Sequence, residues 1–284
     1  MRGVPGVHRE TARLWTALTA GPAPISLRFL AVAVLVAALV VIGQPRPAAQ
    51  ESQSGQAAQP PKTVVGSQED VTRLREYQTL LASRMNDLVT ETSLTALIKT
   101  TMGLAFLRST GGAGPDENRA ALVAIMFYLN RWPIEAVVPE ARSWPRIPQR
   151  TFALRGRTDL AQHFITSAAI AAAAGVPFAD WAGLYKELSD ARGGSGFSFS
   201  DLAADRAGRA FGQLATRDHE SARRLQALAG ERLTEDDIMP NVSGLADNLS
   251  ESEFGRRFGG VGSPKYNEVV LEIDARISAL PLHK

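Results

Sequence analysis

The run Phe29 to Ile42, FLAVAVLVAALVVI, constrains this chain more than any other stretch. It is uncharged, and Arg28 stands directly before it. Its fourteen residues fit the apolar core of a signal peptide, roughly 7–15 residues. They fall short of the roughly 17–25 that cross a bilayer comfortably. Ala48 and Ala49 supply small residues for cleavage, although Pro47 makes the match to A-x-A imperfect. The leader carries Arg2, Arg9, Arg13 and Arg28 against Glu10, a bias that holds the N-terminus in the cytoplasm. Two outcomes are open: export followed by cleavage, or retention as a single signal anchor. Either way the bulk of the chain is expected outside the cytoplasmic membrane, in the periplasm.

The leader also accounts for the apparent basic character. The 284 residues hold 31 Lys+Arg and 29 Asp+Glu, a net of +2. Five basic residues and one acidic residue fall in 1–49, which leaves 26 and 28, a net of −2, for 50–284. Nothing in that balance suggests nucleic acid. With no cysteine, disulfides, Cys-ligated metals, a thiol nucleophile and a lipidated N-terminal Cys are excluded. A 45% hydrophobic share is enough for a folded core.

The chain divides into a basic leader (1–28), the apolar signal or anchor segment (29–43), a Pro/Gln/Ser linker (44–67), an α-helical domain (68–230) and a helical C-terminal extension (231–284). Helical spacing begins at Gln68 with Val71, Leu74, Leu81, Met85 and Leu88. A second apolar helix is expected over Leu94 to Leu107, stopped by Gly111 to Gly114. Pro115 and Asp116 open a third, with Ala121, Leu122, Ile125, Met126 and Leu129 inward. Pro133, Pro139, Pro145 and Pro148 make 132–150 a loop, pinned by Trp132 and Trp144. Thr151 to Leu154 could be a short extended piece. Leu160 to Ala174 is apolar almost all round, as a central buried helix would be. Further helices are expected over Phe178 to Arg192, from a Ser198/Asp201 capping box to Leu214, over Arg217 to Ala229, from a Ser250/Glu253 box, and after Ser263-Pro264. No run alternates as a strand does. The expected fold is mainly α, an irregular helical bundle with little or no β-sheet.

One stretch, 158–212, has polar residues that require an explanation. Asp159 and His163 are four apart and share a helix face. His163 then enters an apolar helix, where an imidazole needs partners for both ring nitrogens. Lys186, Glu187 and Asp190 occur as K-E-L-S-D, and Asp201 and Asp205 are four apart beyond a Gly/Ser turn. Three consecutive antiparallel helices would bring these faces together. The set could supply a general acid and base, with His163 and Glu187 as the catalytic candidates. It could instead hold a divalent metal through His163, Glu187, Asp190 and Asp201. Equally, it could be structural, with Lys186–Asp190 and Asp205–Arg209 as ordinary i,i+4 ion pairs and Asp159 capping its helix or pairing with His163. The turn holding Ser195 matches neither a Walker A loop nor a nucleophile elbow. His219 reads as a solvated helix face.

The order D-x-x-x-H-F (Asp159, His163, Phe164), K-E-x-x-D (Lys186, Glu187, Asp190) and G-F-S-x-x-D (Gly196, Phe197, Ser198, Asp201) resembles uncharacterised bacterial envelope proteins of the YfiM-like lipoprotein type, and more loosely the VanZ-like motif. The resemblance covers about a fifth of the chain. It implies an envelope location and a polar site on these helices, and no particular activity. Two departures stand out: the lipoprotein Cys is absent, and Leu160 and Asp205 replace the Lys and Asn such relatives often carry. The expected function is that of a membrane-associated envelope protein, held by residues 29–42 if these are uncleaved. The polar cluster would serve a structural or interaction module, or a hydrolase or transferase acting on an envelope component.

Overall fold

The computed structural model describes residues 67–88, 90–174 and 196–283. The apolar segment 29–42, the linker, the helix expected over Phe178 to Arg192, and Lys186, Glu187, Asp190 and Ser195 lie outside the described residues. All described residues belong to one compact unit. The fold is mainly α, as the periodicity predicts. Among the described residues there are nine α-helices, and β-pairing is confined to isolated bridges.

Helix α1, Gln68–Arg84, starts on a complete capping box between Ser67 and Asp70. It is followed by α2, Leu94–Arg108, and α3, Gly114–Asn130. Helix α3 has Pro115 in its first turn, where the missing N–H costs nothing. From Ala120 to Asn130 every residue of α3 is buried. It packs against α1, α2, α4 (Thr158–Ala173), α5 (Phe199–Thr216) and α6 (His219–Glu231). The central helix is therefore α3, not the Leu160 to Ala174 segment that the sequence suggested. The reason is placement in the bundle: α3 is enclosed by five helices, whereas α4 keeps an outer edge on which His163 and Ser167 are half-buried and Ile170 is exposed.

The proline-rich loop holds two short 3₁₀ turns, Ile134–Ala136 and Pro139–Ser143, and is fastened by buried Trp144. Trp132 meets Phe127 edge-on at 6.3 Å. Ala153 pairs through its backbone with Thr92 and Leu94, so the short extended piece exists as an isolated bridge to Ser93.

The tightest junction is between α4 and α5. A Cβ added at Gly208 would overlap the Phe164 carbonyl, and one at Gly212 the Ala168 carbonyl. Because 208 meets 164 and 212 meets 168, the two helices run parallel. Both N-termini therefore open at the same end of the pair. Residues from 246 to 266 close that end. Leu249 and Phe197 exchange backbone hydrogen bonds of 2.8 and 2.9 Å. Phe197 and Phe199 stack with Phe254 and Tyr266, from α8 (Glu251–Phe258) and α9 (Pro264–Ser278), at 4.2–6.2 Å between centroids. Between α6 and α8, the one-turn helix α7, Glu235–Ile238, brings the Glu235 carboxylate to Ser93 Oγ at 2.6 Å and the Arg155 N–H at 2.9 Å.

One expected cap is replaced. Ser198 and Asp201 have capping-box spacing, but Ser198 Oγ accepts the Asn248 N–H at 3.0 Å. The first turn of α5 is capped by Asp247, which accepts the Ser200 N–H at 3.1 Å. The close Phe197–Leu249 pairing brings the 246–249 backbone over the helix start, so a distant carboxylate takes the role that local spacing assigned to Ser198. Helix α5 runs on to Thr216 rather than stopping at Leu214.

Candidate functional site

The parallel α4–α5 pair places Asp159 and Asp201 in neighbouring first turns, and His163 and Asp205 one turn further in. Carboxylates at helix N-termini complement the macrodipole, which explains this clustering at one end. Four of the eight residues singled out from the sequence, Asp159, His163, Asp201 and Asp205, come together here.

His163 faces a carboxylate on each ring nitrogen. Nδ1 lies 3.2 Å from Asp205 Oδ1, and Nε2 lies 3.8 Å from Asp201 Oδ2. Ser167 Oγ donates to the same Asp205 oxygen at 2.8 Å. Asp205 is thus turned toward α4 and not toward Arg209, the i,i+4 partner its spacing suggested. Asp159 pairs with Arg157, at 2.6 Å from Nη2, rather than with His163. Burial alone would push the His163 imidazole down, but the hydrogen bond to Asp205 and the charges of Asp205, Asp201 and Asp159 overcome it and raise it to about 9. Burial raises the Asp201 carboxyl, opposed by the positive charge of His163. The hydrogen bond from Arg157 holds Asp159 below its usual range.

Two members of this network carry no local signal in the sequence. The Arg157 guanidinium reaches Asp159, Asp201 at 3.4 Å, and Asp247. Asp247 in turn accepts from the Ser200 hydroxyl at 2.8 Å. Arg157 stands two residues before Asp159, outside any helical spacing, and Asp247 lies more than forty residues from its partners. Only the folded chain identifies them.

The chemistry of the cluster follows from its charge. An imidazole raised to about 9 is an imidazolium at neutral pH. It has no free lone pair with which to accept a proton or bind a metal. Among the described residues no group of three or more His or carboxylate side chains is placed to hold a metal ion. What an imidazolium does well is join two carboxylates; its Nε2–H, 3.8 Å from Asp201 and so not hydrogen-bonded to it, is the proton that a side chain 37% exposed can donate outward.

A second polar centre was not anticipated. Glu117, 4% exposed at its side chain, accepts from Tyr77 Oη at 2.8 Å, Arg108 Nε at 3.0 Å and Arg73 Nε at 3.2 Å. Burial and the adjacent Glu117 carboxylate raise the Tyr77 phenol strongly. A cavity of ≈ 490 Å³ opens beside Arg73 and Arg108, floored by Gly111 to Ala113. Its charged groups are all paired: Arg73 with Glu69, Asp70 and Glu117, Arg108 with Glu117, and Asp116 with Arg119. The three bonds to Glu117 tie α1, α2 and α3 together.

Among the described residues no helix is long and apolar enough to cross a membrane. Comparison of the chain with protein-family models, curated proteins and solved structures finds no match.

Proposed function

We propose that this chain is an exported, membrane-associated helical module of the bacterial cell envelope, and that its His/Asp cluster is a structural clamp. Support for the location comes from the Arg28-flanked apolar run Phe29 to Ile42, the basic leader and the resemblance carried by Asp159, His163 and Asp201. The observation that carries the clamp is the pairing of both His163 nitrogens with carboxylates of the neighbouring helix. An ion pair that joins two helices stabilises by holding their register, and the protein's task is then to present a fixed surface to an envelope partner.

A double-mutant cycle tests the clamp. His163→Gln and Asp205→Asn are each expected to lower stability by about 1 kcal/mol, since the pair is part-exposed and screened. The double variant should lose less than the sum. Strict additivity would show that the two side chains do not stabilise each other, and would remove the clamp.

A second reading is favoured by one observation, the partial exposure of the His163 ring. An exposed imidazolium can act as general acid in an envelope hydrolase or transferase, with Glu187 as acid/base and Asp190 and Asp201 as orienting or metal-binding groups. It requires that His163→Gln abolish turnover of a lipid or cell-wall precursor while the fold survives. Retained turnover, or none in the wild type across such a panel, removes it.

A further inference from the structure

Helix α2 is apolar nearly all round. Its sequence, LTALIKTTMGLAFLR, has two charged residues, Lys99 and Arg108. One side, including Leu94, Leu97, Ile98 and Met102, is buried, and the helix packs against α1, α3 and α6. The opposite stripe is Lys99, Gly103, Phe106 and Leu107, spaced as a single helix face. Phe106 is 42% exposed and Leu107 is 76% exposed, and a Cβ added at Gly103 would meet nothing within 4 Å. A solvated helix face ordinarily carries charged or amide side chains. This one presents two large apolar side chains and open backbone.

The rim of this face is basic. From α6, the Arg223 guanidinium lies 3.8 Å from the Phe106 ring centroid and donates to the Phe106 carbonyl at 2.6 Å. Lys99 lies on the stripe itself and is exposed. Apolar side chains flanked by Arg223 and Lys99 match the boundary of an anionic bilayer, where Phe and Leu enter the acyl region and cationic groups meet lipid phosphates. A second copy of the chain is the poorer occupant. A two-fold interface sets the same patch against itself, and would bring the two basic rims together.

We propose that the α2 face around Phe106 and Leu107, with Lys99 and Arg223, is the surface by which the folded body rests on an anionic membrane. The proposal rests on the membrane-associated reading above, and its test separates the two. The chain has no cysteine, so full-length Leu107→Cys and Gln213→Cys proteins each offer one thiol for a nitrobenzoxadiazole probe. Gln213 is exposed on α5. With phosphatidylglycerol-containing vesicles bearing doxyl lipid, the probe at 107 is expected to be quenched and that at 213 not. The quenching at 107 should be lost when the vesicles are phosphatidylcholine alone. Equal quenching at both positions, or none at 107, overturns the proposal. Protection of the 107 probe from aqueous iodide without lipid, increasing with protein concentration, also overturns it, by naming a second copy as occupant. Flotation of the same samples reads membrane association itself. A floating chain whose 107 probe stays aqueous refutes the docking face alone; a chain that neither floats nor is quenched refutes both readings.

Discussion

At the scale of single residues, folding sets the charge of His163. An imidazole ordinarily titrates near 6.5, and here the flanking Asp205 and Asp201 raise it to about 9 against the opposing effect of burial. The folded state binds this proton more tightly than the unfolded chain does. The pairing therefore stabilises fully below about pH 6.5, and its contribution is lost as pH rises through 9. The stability difference between wild type and His163→Gln should shrink across that interval, read as the urea midpoint at a series of pH values. A difference that stays constant from pH 6.5 to 9 would show that the charge does not contribute. Asp201, raised chiefly by burial, also prefers its proton in the fold, so its ionisation lowers stability as pH climbs from the acid side. The two groups thus act at different ends of the pH scale. The sequence placed Asp159, His163, Asp201 and Asp205 in one cluster because i,i+4 spacing reports a shared face. It offered Asp205 to Arg209 and Asp159 to His163, whereas Asp205 pairs with His163 and Asp159 with Arg157, because the α4–α5 contact and the Arg157–Asp247 bridge are tertiary and no local spacing records them.

At the scale of elements, the α4–α5 pair depends on two glycines that let the backbones approach. Gly208→Ala and Gly212→Ala would each drive a methyl into a carbonyl of α4. Each is expected to cost roughly 2–4 kcal/mol, since two rigid helices must separate to admit it. Gly103→Ala, in the open middle of α2, should be neutral or stabilise by up to about 1 kcal/mol through helix propensity. Thermal unfolding of the three variants checks this, and equal losses at all three positions would contradict the close packing. Helix limits were the most legible part of this scale. Pro115 with Asp116, and Ser263 with Pro264, mark helix starts where the fold has them. The identity of the central helix was not legible. Both α3 and α4 carry long apolar runs, and what distinguishes them is how many neighbours surround each, a property of the assembled bundle. The Ser198 cap failed for a related reason: its spacing was correct, but the Phe197–Leu249 pairing delivered Asp247 to the same amides.

At the scale of the whole molecule, the described helical body is bound by two ion-pair centres, one on Glu117 and one on His163. If the body is exported, protease added to spheroplasts should digest it, while intact cells protect it. A body protected in spheroplasts would place it in the cytoplasm and remove the envelope reading. The central claim, that the His/Asp cluster is a charged clamp and not a general base, depends on one protonation state. The chain has four histidines, so the imidazole resonance of His163 can be assigned by its loss in His163→Gln. Its titration by NMR in the full-length protein is the most direct test. The account predicts an imidazolium that persists at neutral pH and titrates near 9. Titration at or below the ordinary value near 6.5 would mean a neutral imidazole at working pH, and would contradict the clamp.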